Sequence, residues 1–421
     1  MTAEARVLAQ RFYGWRVVGG AFVLAMFGWG LGFYGPPIYL HAVQEARGWP
    51  LALISAAVTL HFLTGALVAA NLPQLHRLCG LPAVTKAGAL ALVLGVLGWA
   101  VVTSPWQLLV AALVSGAGWA ITSAAAINAI VSPWFVRARP SALGMAYNGA
   151  SIGGVVFSPL WVAAVAWLGF PIAAAAIGLT MTVTVWVLAD TLFARTPQQM
   201  GLTPDGDAPG TPVGQVTSPS ARPLPGASLW KNITFITLSA GMALGLFAQI
   251  GLIAHLFSLL VPALGSQLAG LAMGLATAAA MAGRTLVGWL MPVGADRRLV
   301  ACASYAIQIV GSVALIMAGG DSVPLLIIGV LLFGAGIGNA TSLPPLIAQV
   351  EFVKDDVPRA VALIVAIGQG TYAFAPAAFG LIRELAPHAT QSAPGAAPVL
   401  FAVAALIQGL AIYMFLAGRR R

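Results

Sequence analysis

Charge is scarce in this sequence. Only 7% of the 421 residues are Asp, Glu, Lys or Arg, while 60% are hydrophobic and the mean hydropathy is +0.93. A soluble domain carries charged side chains at roughly a quarter of its positions. The composition therefore excludes a soluble protein and predicts a multi-pass integral membrane protein.

Polar interruptions are also rare along the chain. Apolar runs of about twenty residues, long enough to cross roughly 30 Å of hydrocarbon as a helix, recur throughout the sequence. They are continuously apolar and do not alternate, which predicts helices and not barrel strands. The twelve predicted spans are residues 15–39, 50–70, 83–102, 106–132, 141–164, 172–193, 232–257, 267–291, 300–319, 324–348, 360–382 and 397–417.

Cysteine is nearly absent. The two cysteines, Cys79 and Cys302, predict neither a disulfide nor a metal cluster. No metal-ligand spacing, no nucleophile with a base in reach and no phosphate loop in its strand context occurs. We therefore expect a protein that is not an enzyme and that carries no metal or cofactor.

The charges that are present lie mostly in loops. Lys and Arg concentrate on one side of a twelve-span arrangement, with Arg47 and Arg383 on the other, which predicts cytoplasmic termini. The net charge of +9 is explained by this bias and by contact with anionic membrane lipids, so it does not indicate nucleic-acid binding.

One long polar segment, residues 194–230, is rich in Pro, Gly, Ser and Thr and predicts a cytoplasmic linker. It separates an N-terminal half, residues 1–193, from a C-terminal half, residues 231–421. The halves share internal similarity, because "SGAGWAITSA" at 115–124 parallels "FGAGIGNATS" at 333–342. Duplication of a six-helix unit gives two halves with the same orientation. The predicted fold is all-α, with twelve transmembrane helices in two parallel-related six-helix halves.

This architecture resembles that of the major facilitator superfamily over nearly the whole chain. Two motifs resemble the monocarboxylate and oxalate–formate carriers within it: "FYGWRVVGGAFV" at 12–23 and the fifth-helix motif "WFVRARPSALGMAYNGASIGG" at 134–154. Small residues in the second motif, Gly144, Gly149 and Gly153, predict close approach of a neighbouring helix. The resemblance implies a bacterial carrier in the plasma (inner) membrane, functional as a monomer.

Acidic residues are missing from the middle of the spans, which argues against cationic substrates. Arg284 in span 8, by contrast, lies well inside an apolar run. In the resemblance it maps to the eighth-helix arginine that binds the substrate carboxylate, a task that suits a planar guanidinium. The alternative is a structural role, with the side chain capping a helix or reaching the interface.

His61 lies near the middle of span 2 and is a candidate for proton coupling. A histidine hydrogen-bonded within the helix packing is the alternative. Pro36 and Pro37 predict a break in span 1, which would place Tyr34 beside the transport route. The lysine and the aspartate that the resembled carriers use are replaced by Ile38 and Ala280, so lactate-type symport does not follow from the resemblance.

Other predicted site residues are neutral hydrogen-bonding side chains on cavity helices and charged residues in one loop. The predicted substrate contacts are Asn128, Tyr147, Asn148, Gln249, Asn339, Gln369 and Tyr372. The predicted gating residues, expected to form state-dependent ion pairs, are Asp296, Arg297 and Arg298.

These features predict a secondary carrier of a small organic anion, and a monocarboxylate is the first candidate for its substrate. The carrier would work by alternating access, with either proton symport or anion exchange. An efflux carrier for an amphipathic or drug-like compound is the first alternative, with cavity walls formed by Trp29, Trp119 and Phe374. A non-transporting membrane receptor is the alternative from another class.

Overall fold

A computed structural model describes residues 12–206, 229–292, 295–353, 356–386 and 395–419. All regular elements of these residues are helices. The α-helices of the N-terminal part are α1 (Tyr13–Gly32), α2 (Pro36–Arg47), α3 (Leu51–Cys79), α4 (Leu81–Val101), α5 (Pro105–Thr122), α6 (Ala124–Val131), α7 (Arg139–Leu168) and α8 (Phe170–Leu188). Those of the C-terminal part are α9 (Ile233–Leu290), α10 (Arg297–Met317), α11 (Val323–Glu351), α12 (Val357–Tyr372), α13 (Ala375–Leu385) and α14 (Pro398–Ala417).

Helix α9 holds two of the predicted spans. Its 58 residues would extend over roughly 87 Å as one straight helix, almost three times the hydrocarbon thickness. The helix is interrupted at Gly265, where φ is 71° and ψ is 163°, a conformation that favours glycine. The described residues therefore contain the twelve predicted spans, with spans 7 and 8 on either side of Gly265.

Three spans are made of two helices each. Span 1 is interrupted between α1 and α2, as the two consecutive prolines predict, span 4 at Ser123 and span 11 between α12 and α13. The sequence did not predict the last two interruptions. Each places backbone polar groups at membrane depth, where they need partners within the protein.

The chain forms two compact units. Unit 1 comprises Met1–Val43 and Leu60–Gln215, and unit 2 comprises Gln44–Thr59 and Val216–Arg421. The start of span 2 thus belongs to unit 2, where the side chain of Thr59 accepts a hydrogen bond from the backbone N–H of Ala377, with an N–O distance of 3.0 Å. The boundary predicted at residue 193 stays a prediction.

Most of the predicted linker, residues 207–228, lies outside the described residues. Its first part is anchored to unit 1 by Asp205, whose carboxylate accepts hydrogen bonds from three consecutive backbone N–H groups. The donors and N–O distances are Val136 at 3.0 Å, Arg137 at 2.8 Å and Ala138 at 3.1 Å. The linker therefore begins as an ordered segment on the loop that precedes α7.

The two motifs that carry the resemblance to monocarboxylate carriers pack against each other in unit 1. The ring centroid of Phe12 lies 6.2 Å from that of Trp134 and 5.6 Å from that of Phe135. Tyr13 packs on Trp134 at 5.3 Å, and Trp15 on Phe135 at 4.9 Å. The aromatic residues of both motifs thus form one cluster joining the start of span 1 to the start of span 5.

The duplicated glycine motif makes the same kind of contact in both units. A Cβ atom built on Gly116 would lie 2.2 Å from the backbone oxygen of His61, and one on Gly334 would lie 2.5 Å from that of Ala276. Span 4 therefore packs on span 2 through its glycine, and span 10 packs on span 8 in the same way.

Gly149 and Gly153 confirm the predicted close approach of span 5 to a neighbouring helix. A Cβ atom on Gly149 would lie 2.0 Å from the backbone oxygen of Phe22, and one on Gly153 would lie 2.5 Å from that of Met26. Gly144 faces open space, since no atom lies within 4 Å of its built Cβ, so the prediction for this residue was wrong.

These environments give opposite expectations for two alanine substitutions in one helix. We expect Gly149→Ala to lower the stability of the protein by about 1–3 kcal/mol, because the methyl group would push apart two helix backbones. Gly144→Ala should leave the thermal midpoint unchanged or raise it slightly, because alanine favours the helix. Thermal unfolding of both purified variants in detergent measures the difference. Equal midpoints would contradict the packing of span 5 on span 1.

Candidate substrate-binding site

Arg284 lies in span 8 with a half-buried side chain. Its Nε–H donates a hydrogen bond to the backbone oxygen of Gly338 in span 10, with an N–O distance of 3.1 Å. The approach requires a glycine, because a Cβ atom at 338 would lie 2.1 Å from the backbone oxygen of Ala280 and 3.1 Å from the Cβ of Arg284. One edge of the guanidinium is thereby fixed to span 10.

The other edge of the guanidinium is open. Within the described residues, neither Nη1 nor Nη2 of Arg284 donates a hydrogen bond to the protein, and no carboxylate pairs with the side chain. Two neighbouring nitrogens with free N–H groups match the two oxygens of one carboxylate. The arrangement suits the binding of an anion.

Three predicted contacts lie on spans 10 and 11 of unit 2. Asn339 follows Gly338 directly and is buried, with 3% of its surface exposed. Gln369 and Tyr372 are half-buried in the last turn of α12, just before the interruption of span 11. Asn339 is therefore next to the peptide oxygen that binds Arg284, while the other two lie at a break in their span.

Gln249 in span 7 is part of a buried cluster of amides. Its Nε2 donates to Oε1 of Gln308 in span 9 at 2.9 Å, and Nε2 of Gln408 in span 12 donates to the same oxygen at 2.9 Å. All three side chains are at most 1% exposed. This geometry assigns Gln249 to interhelical contact, and its predicted contact with substrate stays a prediction.

Tyr34 lies at the break in span 1, among aromatic side chains of unit 1. Tyr34 is half-buried, and its ring centroid lies 5.1 Å from that of Phe33. Phe33 lies 6.2 Å from Trp119, and Trp119 packs on Trp29 at 4.9 Å. Trp29 and Trp119, which the efflux alternative invokes, are thus neighbours of the predicted tyrosine.

The remaining predicted contacts of unit 1 lie on spans 4 and 5. Tyr147 is half-buried, and its hydroxyl donates to the backbone oxygen of Ala124 at 3.1 Å, just after the interruption of span 4. Asn128 is exposed and accepts a hydrogen bond from the hydroxyl of Ser132 at 2.5 Å, and Asn148 is also exposed. Tyr147 thus binds the backbone next to the break of span 4, and the contacts of all three residues with substrate stay predictions.

His61 is buried in unit 1 with both ring nitrogens hydrogen-bonded. Nε2 lies 2.9 Å from the backbone oxygen of Gly32, and Nδ1 lies 2.8 Å from Oγ of Ser115. The contacts match the packing alternative of the sequence analysis. Its role in proton coupling stays a prediction.

Comparison with known protein families identifies the family to which this chain belongs. The sequence matches the model of the Major Facilitator Superfamily over residues 17–376. The chain belongs to the major facilitator superfamily. It is therefore a multi-pass membrane transporter and not an enzyme, and the predicted fold class is confirmed.

Solved structures of other superfamily transporters share this fold at low sequence identity. The nucleoside transporter NupG is 14% identical with a TM-score of 0.72, and the alignment covers 96% of this chain and 98% of that one. A bacterial homologue of the human lysosomal transporter Spinster is 14% identical with a TM-score of 0.69 and the same coverage of 96% and 98%. A D-xylose–proton symporter is 12% identical, with a TM-score of 0.69 and 97% of each chain covered.

A comparison with curated proteins gives no match. The membership in the monocarboxylate and oxalate–formate group thus stays a prediction.

The predicted gating residues of this superfamily transporter have partners within unit 2. Arg298 is 1% exposed and forms a bidentate ion pair with Glu351, with N–O distances of 2.6 and 2.8 Å. It also donates to the side chain of Thr237 and to the backbone oxygens of Thr234 and Phe415. Every guanidinium nitrogen of Arg298 therefore has a partner.

Asp296 and Arg297 lie at the start of α10. The carboxylate of Asp296 caps this helix and pairs with Arg419 at 2.6 Å, and Arg297 donates to the backbone oxygen of Leu346. Partial burial alone would raise the pKa of Asp296, but hydrogen bonds from Arg419 and two backbone N–H groups lower the pKa overall. These contacts give the loop a structural function, and the gating role stays a prediction.

Two features of unit 2 were missed by sequence reasoning. Glu351 is the partner of Arg298, but in the sequence it is one of several acidic residues at helix ends, and no signal distinguishes it from the others. Gln308 and Gln408 are single amides in otherwise apolar spans, which is the signal that could have identified them as partners of Gln249.

Proposed function

We propose that this chain is a secondary carrier of a small organic anion, a monocarboxylate, that works by alternating access. The open edge of the Arg284 guanidinium carries the proposal. Its Nε–H is occupied by Gly338, so the two remaining nitrogens are held in place and directed by the protein before any ligand binds. A preorganised donor pair loses less entropy on binding than a free side chain does.

Among the described residues no carboxylate pairs with Arg284, and this supports an anion as the occupant. An uncompensated guanidinium at membrane depth is costly, and a bound carboxylate would neutralise it. Tyr372, a neutral side chain at the break of span 11 in the same unit, would then contact the remainder of the molecule. Tyr34, at the break of span 1, stays a predicted substrate contact.

Two driving mechanisms are compatible with such a site. Exchange of one anion for another requires no titratable residue, so Arg284 suffices for it. Symport requires a group that takes up a proton, and His61 is the residue proposed for that step. We place the carrier in the plasma membrane of a bacterium, with the termini on the cytoplasmic side.

A thermal-shift screen tests the proposal. The purified chain in detergent is heated with a panel of monocarboxylates, each paired with its primary amide, and the unfolding midpoint is measured. A carboxylate at 100 times its Kd should stabilise the protein by about 2.7 kcal/mol, and the amide should not.

The matched variants are Arg284→Ala and Thr285→Ala. Thr285 is exposed, its hydroxyl donates to the backbone oxygen of Met281, and it is adjacent to the arginine, so its loss should leave the shift intact. Arg284→Ala should abolish the shift. The proposal is wrong if no carboxylate stabilises the unchanged chain, or if Arg284→Ala responds as the unchanged chain does.

A further inference from the structure

The break in span 1 exposes backbone oxygens that have lost their helical partners. In a continuous helix the oxygen of Gly32 would accept from the N–H of residue 36, but Pro36 has no N–H. The N–H of Tyr34 bonds to the oxygen of Trp29 at 2.9 Å, and therefore not to that of Gly30. Unpaired oxygens at this depth would destabilise the fold.

Three side chains supply the missing donors. The indole Nε1 of Trp161 in span 5 donates to the oxygen of Gly30 at 3.1 Å. The hydroxyl of Tyr39 in α2 donates to the oxygen of Leu31 at 3.2 Å, and Nε2 of His61 in span 2 lies 2.9 Å from the oxygen of Gly32. Three consecutive oxygens are thus bound by side chains from three helices of unit 1.

The contacts of His61 assign the hydrogens on its ring. Nε2 faces a backbone oxygen, which only accepts, so Nε2 carries the hydrogen. Nδ1 faces the hydroxyl of Ser115, whose oxygen also accepts from the indole of Trp99 at 3.3 Å. A neutral His61 with the hydrogen on Nε2 satisfies these contacts when the Ser115 hydroxyl donates to Nδ1 at 2.8 Å, in place of the backbone oxygen of Ala112 at 3.2 Å.

The break in span 1 lies next to the aromatic side chains that surround Tyr34. The ring of Trp119 lies against the backbone at Gly32, where a built Cβ would be 2.5 Å from it. Phe33 packs on Phe62 at 6.0 Å, beside His61 in the sequence. The oxygens of Gly30, Leu31 and Gly32 immediately precede Phe33 and Tyr34, so their three donors bind the backbone next to these two residues.

We propose that His61, Tyr39 and Trp161 are positioning residues, which hold the broken first span so that Tyr34 faces the transported molecule. The part of the proposal that concerns the ligand rests on the proposed function, but the position of the break does not. The donors act through the backbone of span 1 and do not contact the ligand themselves.

Cysteine labelling at position 34 tests the proposal without any substrate. Tyr34→Cys is placed in a chain with Cys79→Ser and Cys302→Ser, and the rate of alkylation by N-ethylmaleimide is measured. Tyr39→Phe, which removes only one oxygen atom, should change this rate by about fivefold, as expected for the loss of one hydrogen bond. His61→Leu should act similarly, whereas His61→Gln retains an amide donor near the Nε2 position and should label at close to the original rate.

Gly144→Cys in the same background is the control, because this position is exposed and distant in sequence from the break. A general loss of stability would alter labelling at both positions, but a positioning role alters it at position 34 alone. Unchanged labelling at 34 in Tyr39→Phe, or parallel changes at 34 and 144, would overturn the proposal. Failure of the carboxylate screen with altered labelling at 34 would overturn the proposed substrate and leave the positioning role standing.

Discussion

Arg284→Ala should abolish saturable uptake of the transported anion into proteoliposomes. In the proposed binding mode, the guanidinium donates two charge-assisted hydrogen bonds to the carboxylate, each worth about 1.5–3 kcal/mol, and the substitution removes both. We therefore expect uptake efficiency, measured as kcat/KM, to fall by about 100-fold or more. The loss should appear with the folded fraction unchanged, since Arg284 has one backbone contact and no ion pair within the described residues.

Arg284→Lys separates charge from geometry. A lysine keeps the positive charge but loses both the bond to Gly338 and the parallel donor pair, so we expect an intermediate loss of about tenfold. Thr285→Ala should transport normally. Equal activity of Arg284→Ala and the unchanged chain would show that the guanidinium has another function.

Glu351→Ala should strongly destabilise the protein. Arg298 is buried with 1% of its side chain exposed, and removal of Glu351 leaves its charge without a counter-ion in the part of the chain that the structure describes. Breaking a buried ion pair in this way costs about 3–5 kcal/mol. Chemical or thermal unfolding of the purified variant measures the loss, which should appear also in the absence of any substrate.

Two variants control for this effect. Arg419→Ala removes an exposed pair with Asp296, in which both side chains are at least 36% exposed, so the expected loss is at most about 1 kcal/mol. The double variant Arg298→Met/Glu351→Leu removes both charges together and should recover most of the stability. A loss for Glu351→Ala no larger than that for Arg419→Ala would contradict the buried pair.

The spans could be predicted from the sequence because hydrocarbon thickness imposes a minimum length on each apolar run. Arg284 could be selected as a candidate site residue for a related reason, because a charge deep in such a run is costly unless it has a partner or a ligand. Its bond to Gly338 could not be predicted, because it depends on the close approach of span 10 to span 8.

The prolines show that local sequence rules are insufficient to predict where a span is interrupted. Pro36 and Pro37 follow an interruption of span 1, but Pro344 and Pro345 lie within the continuous helix α11. Two adjacent prolines remove two backbone donors in both places. Span 1 is interrupted where Trp161, Tyr39 and His61 bind the released oxygens, and this support comes from distant parts of the chain.

Gln249 illustrates the same limit for the candidate site. An amide in an apolar span requires a hydrogen-bond partner, but the sequence does not say whether that partner is a ligand or another helix. Its partner, Gln308, is 59 residues away and is shared with Gln408. The pairing becomes visible only when spans 7, 9 and 12 are packed together.

Counterflow in proteoliposomes tests directly whether the chain transports a carboxylate that binds Arg284. Vesicles containing the unchanged chain are loaded with one unlabelled compound, and entry of the same labelled compound is followed for monocarboxylates, their primary amides, a nucleoside and D-xylose. We expect accumulation for a carboxylate, none for its amide, and loss of the signal in Arg284→Ala. Accumulation of the neutral compounds alone, or of the carboxylate equally with and without Arg284, would contradict it.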